Sequence, residues 1–145
     1  MIYLDSSFVV SLYAMDANSA AAQAALQASA EETFVLTPLA ELEVVNALYL
    51  RVFRKEATDA EAHASSQAFE SDLQRGVFLR SPIPDSAFER ARRLSRQTTA
   101  RRGTRTADLL HVAAALELEA TDLFTFDLRQ RNLAADAGLA LNPLS

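Results

Sequence analysis

The chain reads as a single α/β domain over residues 1–145, a three-layer α/β/α arrangement around a mostly parallel sheet. Three observations predict it. Short apolar or β-branched runs alternate with longer segments of helical period, which implies parallel strands with helices on both faces. Capping residues fall at the joints of that alternation, and a chain of this length supplies about one core, burying roughly 68–70% of the surface its unfolded form exposes. No internal repeat and no low-complexity linker divides it.

The elements follow in order. Residues 1–4 form a short buried strand, and "DSSFVVSLYAM" a helix capped by Asp5 or Ser6. "SAAAQAALQASA" is an alanine-rich second helix. "TFVLTP" has strand character and ends at Pro38, whose fixed φ suits the first turn of a helix running through about Phe53. Thr58 and Glu61 stand at capping-box spacing ahead of a helix that stops at Gly76. "VFLRSPI" is the next strand, and Ser86 with Glu89 repeats the capping-box spacing before another helix. The arginine-rich segment around Thr98 to Thr104 is expected to be a flexible loop. Residues 107–119 form a helix, "DLFTF" a strand, residues 128–137 a helix ended by Gly138, and "LALNP" a weak edge strand.

Composition excludes several functions. No cysteine means no disulfide and no thiolate metal site, which fits a reducing cytoplasm. No apolar run reaches membrane-span length, and Asp5 interrupts the N-terminal apolar run, against a secretory signal. Net charge is −5, yet seven of the fourteen basic residues lie between Arg90 and Arg105 with no acid among them. The remainder carries nineteen acids against seven bases, a net of −12. A basic strip beside carboxylates suits a protein that handles a polyanion through a cation, although an arginine-rich helix face is more often simply solvated.

An α/β sheet binds ligands at the carboxyl ends of its strands, so the residues just after each strand carry the chemistry. The three glycines are isolated, which removes dinucleotide fingerprints and phosphate-cradling loops. No serine stands in a nucleophile elbow, and the one lysine, Lys55, is misplaced for an aspartyl-phosphate site. What remains is acidic. Asp5 and Asp127 each follow a strand and Asp108 opens a helix, and N-capping explains each alone. Glu43 lies beyond the first turn of "LAELEVVNALYLRVF", where capping cannot apply, and shares a face with Asn46, Ala47 and Leu50. Either it escapes to solvent or an arginine, or it holds a cation. Four converging carboxylates would repel by on the order of 4 kcal/mol per pair at 4 Å and an effective dielectric near 20, which a hard divalent ion offsets. His111, three residues after Asp108, could face the same site but is expected to pack in the core or to hydrogen-bond a backbone group.

The ordered pieces "YLDSS", "ELEVVNAL", "TADLLHVAAALELEATDLFTFD" and "LAADAGLAL" span nearly the whole chain and resemble the PIN-domain ribonucleases, most closely the VapC-type toxins of toxin–antitoxin pairs. The resemblance implies a five-stranded parallel sheet with the first and fourth strands adjacent. It implies metal-site roles, with Mg²⁺ or Mn²⁺, for Asp5, Glu43, Asp108 and Asp127, and supporting hydrogen bonds from Ser6, Asn46 and Thr125. Asp122 competes for the fourth acidic position but precedes its strand. The implied activity is metal-dependent hydrolysis of RNA phosphodiesters, with Arg101, Arg102 and Arg105 as candidates for RNA contact. An antitoxin partner and a homodimer are implied too. A housekeeping RNA-processing enzyme, a structure-specific DNA nuclease and a non-catalytic binding module remain as alternatives.

Overall fold

A computed structural model describes all residues, 1–145, of the chain. The elements are β1 (Ile2–Leu4), α1 (Ser6–Tyr13), α2 (Ser19–Ala28), β2 (Phe34–Leu36), α3 (Pro38–Phe53), α4 (Asp59–Gln74), β3 (Leu79–Arg80), α5 (Asp85–Arg102), α6 (Thr106–Glu117), β4 (Asp122–Phe124), α7 (Leu128–Asp136) and β5 (Ala140–Leu141). All five strands pair in parallel in the order β3-β2-β1-β4-β5. The alternation of strands and helices is thus realised as a five-stranded sheet.

Period-two alternation divides the core. Ile2, Leu4, Leu36 and Phe124 face one side of the sheet, where they pack with Phe8 of α1, Ala22 of α2, Val44 and Leu48 of α3 and Phe69 of α4. Tyr3, Val35 and Leu123 face the other, against Ala87 of α5, Val112 to Ala115 of α6 and Leu133 of α7. Helices α1 to α4 therefore cover one face and α5 to α7 the other. Strand β1, buried at every position, sits at the centre.

That order places the site. Leaving β1 the chain first builds outward through β2 and β3, then returns to add β4 on the other side, so the carboxyl ends of β1 and β4 flank the crevice where strand order reverses. Leu4 pairs with Phe124, and the Asp5 amide donates to the Phe124 carbonyl at 3.0 Å, carrying the ladder one residue further. Asp5 and Thr125 leave the sheet side by side.

Two local expectations are corrected. The arginine-rich segment is not a loop: α5 continues to Arg102 because arginine, glutamine and alanine are good helix formers and Thr98 is buried, its hydroxyl satisfied by the Leu94 carbonyl at 2.7 Å. Only at Gly103, with φ of 62°, does the helix end, in a left-handed conformation that suits glycine. Nor does Ser86 cap α5. The helix starts at Asp85 after Pro84, with no side-chain cap. The Thr58 and Glu61 pair does form the reciprocal capping box of α4.

Candidate metal centre

The site is built by four helix starts or faces meeting at the β1–β4 crevice. Asp5 caps α1, accepting from the Ser7 amide at 3.1 Å, and it is almost fully buried. The same oxygen, Oδ2, accepts from the Ser7 hydroxyl at 2.5 Å and from the Thr125 hydroxyl at 2.9 Å. Its Oδ1 accepts no hydrogen bond and lies 3.8 Å from His111 Nε2. Capping and site membership are therefore one arrangement, with one carboxylate oxygen fixed by donors and the other left without one beside His111.

Glu43 reaches the same place from the second turn of α3. Its Oε1 takes a short hydrogen bond from His111 Nε2, while Oε2 has no donor. Ligand atoms of Asp5, Glu43 and His111 all lie within 4.8 Å of one another. Asn46, Ala47 and Leu50, on the face of α3 predicted from the spacing, line a groove of about 680 Å³ with Glu43, Ser6, Ser7, Phe126, Asp127 and Arg105. Glu41 points elsewhere, as expected, and pairs with Arg80 at 2.7 Å.

His111 is buried, as expected, but its partners are side chains and not backbone groups. Burial is the largest single influence and acts to lower its pKa, yet the Glu43 hydrogen bond and the charges of Asp5, Glu43 and Asp108 together outweigh it and raise the pKa. Both ring nitrogens are engaged, Nε2 with Glu43 Oε1 and Nδ1 with the Tyr3 hydroxyl at 2.7 Å. Tyr3 in turn lies 3.2 Å from Thr37 Oγ1, the N-cap of α3, so the ring is tied to the helix that carries Glu43. Burial also holds the Tyr3 phenol well above its ordinary pKa, so the hydroxyl stays a donor.

Asp108 and Asp127 form a second group. Asp108, in the first turn of α6 and buried, receives two bonds from Arg105, Nε to Oδ2 at 3.0 Å and Nη2 to Oδ1 at 3.3 Å. The same Nη2 reaches Asp127 Oδ2 at 2.8 Å. Asp127 caps α7 with its other oxygen, which accepts from the Arg129 and Gln130 amides at 2.9 and 3.2 Å. These contacts, the Asp108 hydrogen bond first, raise the Arg105 pKa further. Asp122 opens β4 at the far end of the strand and bonds Thr121.

Some residues were missed or misassigned. Ser7, not Ser6, carries the hydrogen bonds to Asp5; Ser6 only lines the groove, as does Asn46. A hydroxyl two residues past an aspartate cap was the available signal. Of the arginine run, Arg90 pairs with Glu117, Arg92 with Glu89 and Arg102 with Asp136, while Arg101 reaches only the Gln97 carbonyl at 3.2 Å. Arg105 alone of that run lines the groove.

The donor set fits a hard divalent cation. Carboxylate oxygens dominate, two of them, Asp5 Oδ1 and Glu43 Oε2, accept no hydrogen bond, and no thiol is near.

The PIN domain family profile matches residues 2–136. The chain belongs to the PIN-domain family. No curated protein matches in sequence. Three solved structures share this PIN fold. VapC20 of Mycobacterium tuberculosis, described as a sarcin-ricin-loop-cleaving toxin, is 18% identical with a TM-score of 0.69, over 99% of this chain and 100% of that one. FitAcB of Neisseria gonorrhoeae is 16% identical with a TM-score of 0.66, covering 99% and 98%. VapBC2 of Rickettsia felis, bound to a DNA fragment from its promoter, is 17% identical with a TM-score of 0.65, covering 97% of each. At such identities the likeness concerns the PIN fold. Its five-stranded parallel sheet with β1 beside β4 is the one the sequence resemblance implied. No helix is long and apolar enough to cross a membrane.

Proposed function

We propose that the chain is a divalent-cation-dependent endoribonuclease and the toxin of a toxin–antitoxin pair. The observation that carries this reading is the clustering of buried Asp5 with Glu43, each keeping one oxygen without a donor, beside a polar groove that Glu43 lines, in a PIN domain. Asp5, Glu43 and Asp108 would hold Mg²⁺ or Mn²⁺, which supplies an activated water and neutralises charge on the phosphoryl oxygens. The Ser7 and Thr125 hydroxyls hold Asp5 by Oδ2 and leave Oδ1 without a donor, on the His111 side. His111 holds Glu43 against Asp5 through one oxygen and leaves the other free. No side-chain nucleophile is required.

An antitoxin partner and a homodimer belong to the same proposal. VapC20 is described as a toxin, and α3 offers an uncovered apolar stripe of Leu42, Tyr49 and Phe53, the last 83% exposed. Leu42, Tyr49 and Phe53 recur at helical spacing while Ala40, Val44 and Leu48 fill the core, so the stripe is free to meet a partner.

The test is cleavage of a labelled single-stranded RNA with Mg²⁺ or Mn²⁺ against EDTA, for wild type, Asp5→Asn and Glu43→Gln. Cation-dependent cleavage lost at least a hundredfold in both variants is expected. Cleavage of DNA but not RNA would move the assignment to a DNA nuclease, and binding without cleavage to a non-catalytic module.

A further inference from the structure

Arg105 is placed unlike any other arginine of the basic run. It is the N-cap residue of α6, so its backbone is fixed, while its side chain is 56% exposed and lines the groove. Its guanidinium spans both oxygens of Asp108 and one of Asp127, and the remaining Asp127 oxygen is taken by the α7 amides. All four oxygens of this pair are thus engaged by donors, in contrast to Asp5 and Glu43, each of which keeps one free.

A guanidinium bidentate on Asp108 competes with any divalent cation for the same two oxygens. Its planar fork also matches a phosphate, and Asp127 holds it at the groove wall. We infer that Arg105 is the exchangeable counter-charge of this site and its phosphate-positioning residue, pivoting on Asp127 from Asp108 toward a substrate phosphate. The inference rests on the cation-dependent nuclease reading and narrows it in two respects. Asp127 becomes the anchor of Arg105 and the cap of α7, not a ligand. Arg105 is separated from Arg101 and Arg102, which stand outside the groove.

Calorimetric titration of the full chain with MnCl₂, without RNA, tests the first half. Arg105→Gln should bind Mn²⁺ about tenfold more tightly, because a nearby positive charge and a competitor for Asp108 are both gone. Arg105→Lys should fall between it and wild type, since an ammonium keeps the charge but not the fork. Asp127→Asn should bind at least as tightly as wild type, whereas Asp5→Asn should lose about tenfold or more. Anisotropy of a labelled single-stranded RNA in Ca²⁺ tests the second half. Arg105→Gln should weaken RNA binding several-fold and lower the slope of log affinity against log salt by about 0.7, the release of one phosphate contact from a single strand.

Arg105→Gln binding Mn²⁺ no more tightly than wild type, or Asp127→Asn losing as much as Asp5→Asn, overturns the counter-charge and anchor roles. An unchanged salt slope overturns phosphate positioning. Wild type that binds no Mn²⁺ at all sinks the nuclease reading and the inference with it, whereas normal wild-type binding with an unresponsive Arg105→Gln sinks the inference alone. Melting curves in EDTA, with Arg105→Lys as the charge-keeping control, confirm that each variant folds.

Discussion

Thr125→Val is the sharpest probe of how β4 holds the site. The Thr125 side chain is fully buried and its hydroxyl donates to Asp5 Oδ2 at 2.9 Å, accepts from the Asp127 amide at 3.1 Å and lies 3.0 Å from Ser7 Oγ. Valine has the same shape without the hydroxyl. Losing a hydrogen bond to an ionised carboxylate costs about 1.5–3 kcal/mol, and stranding a part-buried amide adds about 1 kcal/mol. The added methyl returns under about 1 kcal/mol, for a net loss near 2–3 kcal/mol. In a chain of 145 residues that lowers the melting temperature by roughly 5–10 °C. Urea unfolding in EDTA measures it, with Thr125→Ser as the control, since serine keeps the hydroxyl and should lose less than about 1.5 kcal/mol. Mn²⁺ affinity should fall with valine and recover with serine, because Asp5 loses one of three donors that set its rotamer. A Thr125→Val protein within about 0.5 kcal/mol of wild type, or a serine variant as damaged as the valine one, would refute the reasoning.

Tyr3→Phe removes the partner of His111 Nδ1 in a fully buried setting, so unfolding in urea should show a loss of about 1–3 kcal/mol without a change in m-value. Arg131→Met breaks bonds to the Thr125 carbonyl at 2.9 Å, Asn142 Oδ1 at 3.1 Å and the Asn142 carbonyl at 2.9 Å; amide exchange in β5 should quicken by tenfold or more while β1 stays protected. If the proposed dimer uses the α3 stripe, Phe53→Glu should halve the mass seen by light scattering while moving stability by less than about 0.5 kcal/mol, as an exposed residue allows. An unchanged mass would free the stripe from that role.

Much of this was legible because the governing patterns are local. The alternation of strand and helix, the Pro38 start of α3 and the Thr58 capping box are read within a few residues of each other, and they hold in the structure. The face shared by Glu43, Asn46, Ala47 and Leu50 follows from helical spacing alone, and it is the face that lines the groove. The loop expected around Thr98 to Thr104 gives way to helix up to Arg102, because helix propensity and the burial of Thr98 prevail there. The partners of His111 were not legible at all. They depend on Tyr3, 108 positions away, and Glu43, 68 away, meeting across the sheet.

Those partners alter the electrostatic argument that began with the sequence. Four converging acids are expected to need a cation to offset their repulsion, yet the chain supplies partners of its own. His111 lies between Asp5 and Glu43, and Arg105 between Asp108 and Asp127. The acids therefore do not have to repel one another for the fold to stand, and their clustering alone is weaker support for a cation than the sequence implied. What still points to one is the asymmetry within the cluster. All four oxygens of Asp108 and Asp127 are engaged by donors, whereas Asp5 and Glu43 each have one oxygen held and the other without a donor. Hard oxygens left open on rigidly backed carboxylates suit a cation. It follows that Asp5→Asn and Asp127→Asn should diverge. The first should cut the Mn²⁺-induced stabilisation, about 2.7 kcal/mol at a hundredfold excess over the wild-type dissociation constant, to about 1.4 kcal/mol or less, and the second should preserve it. Equal loss in both variants would return Asp127 to the ligand set and remove the distinction.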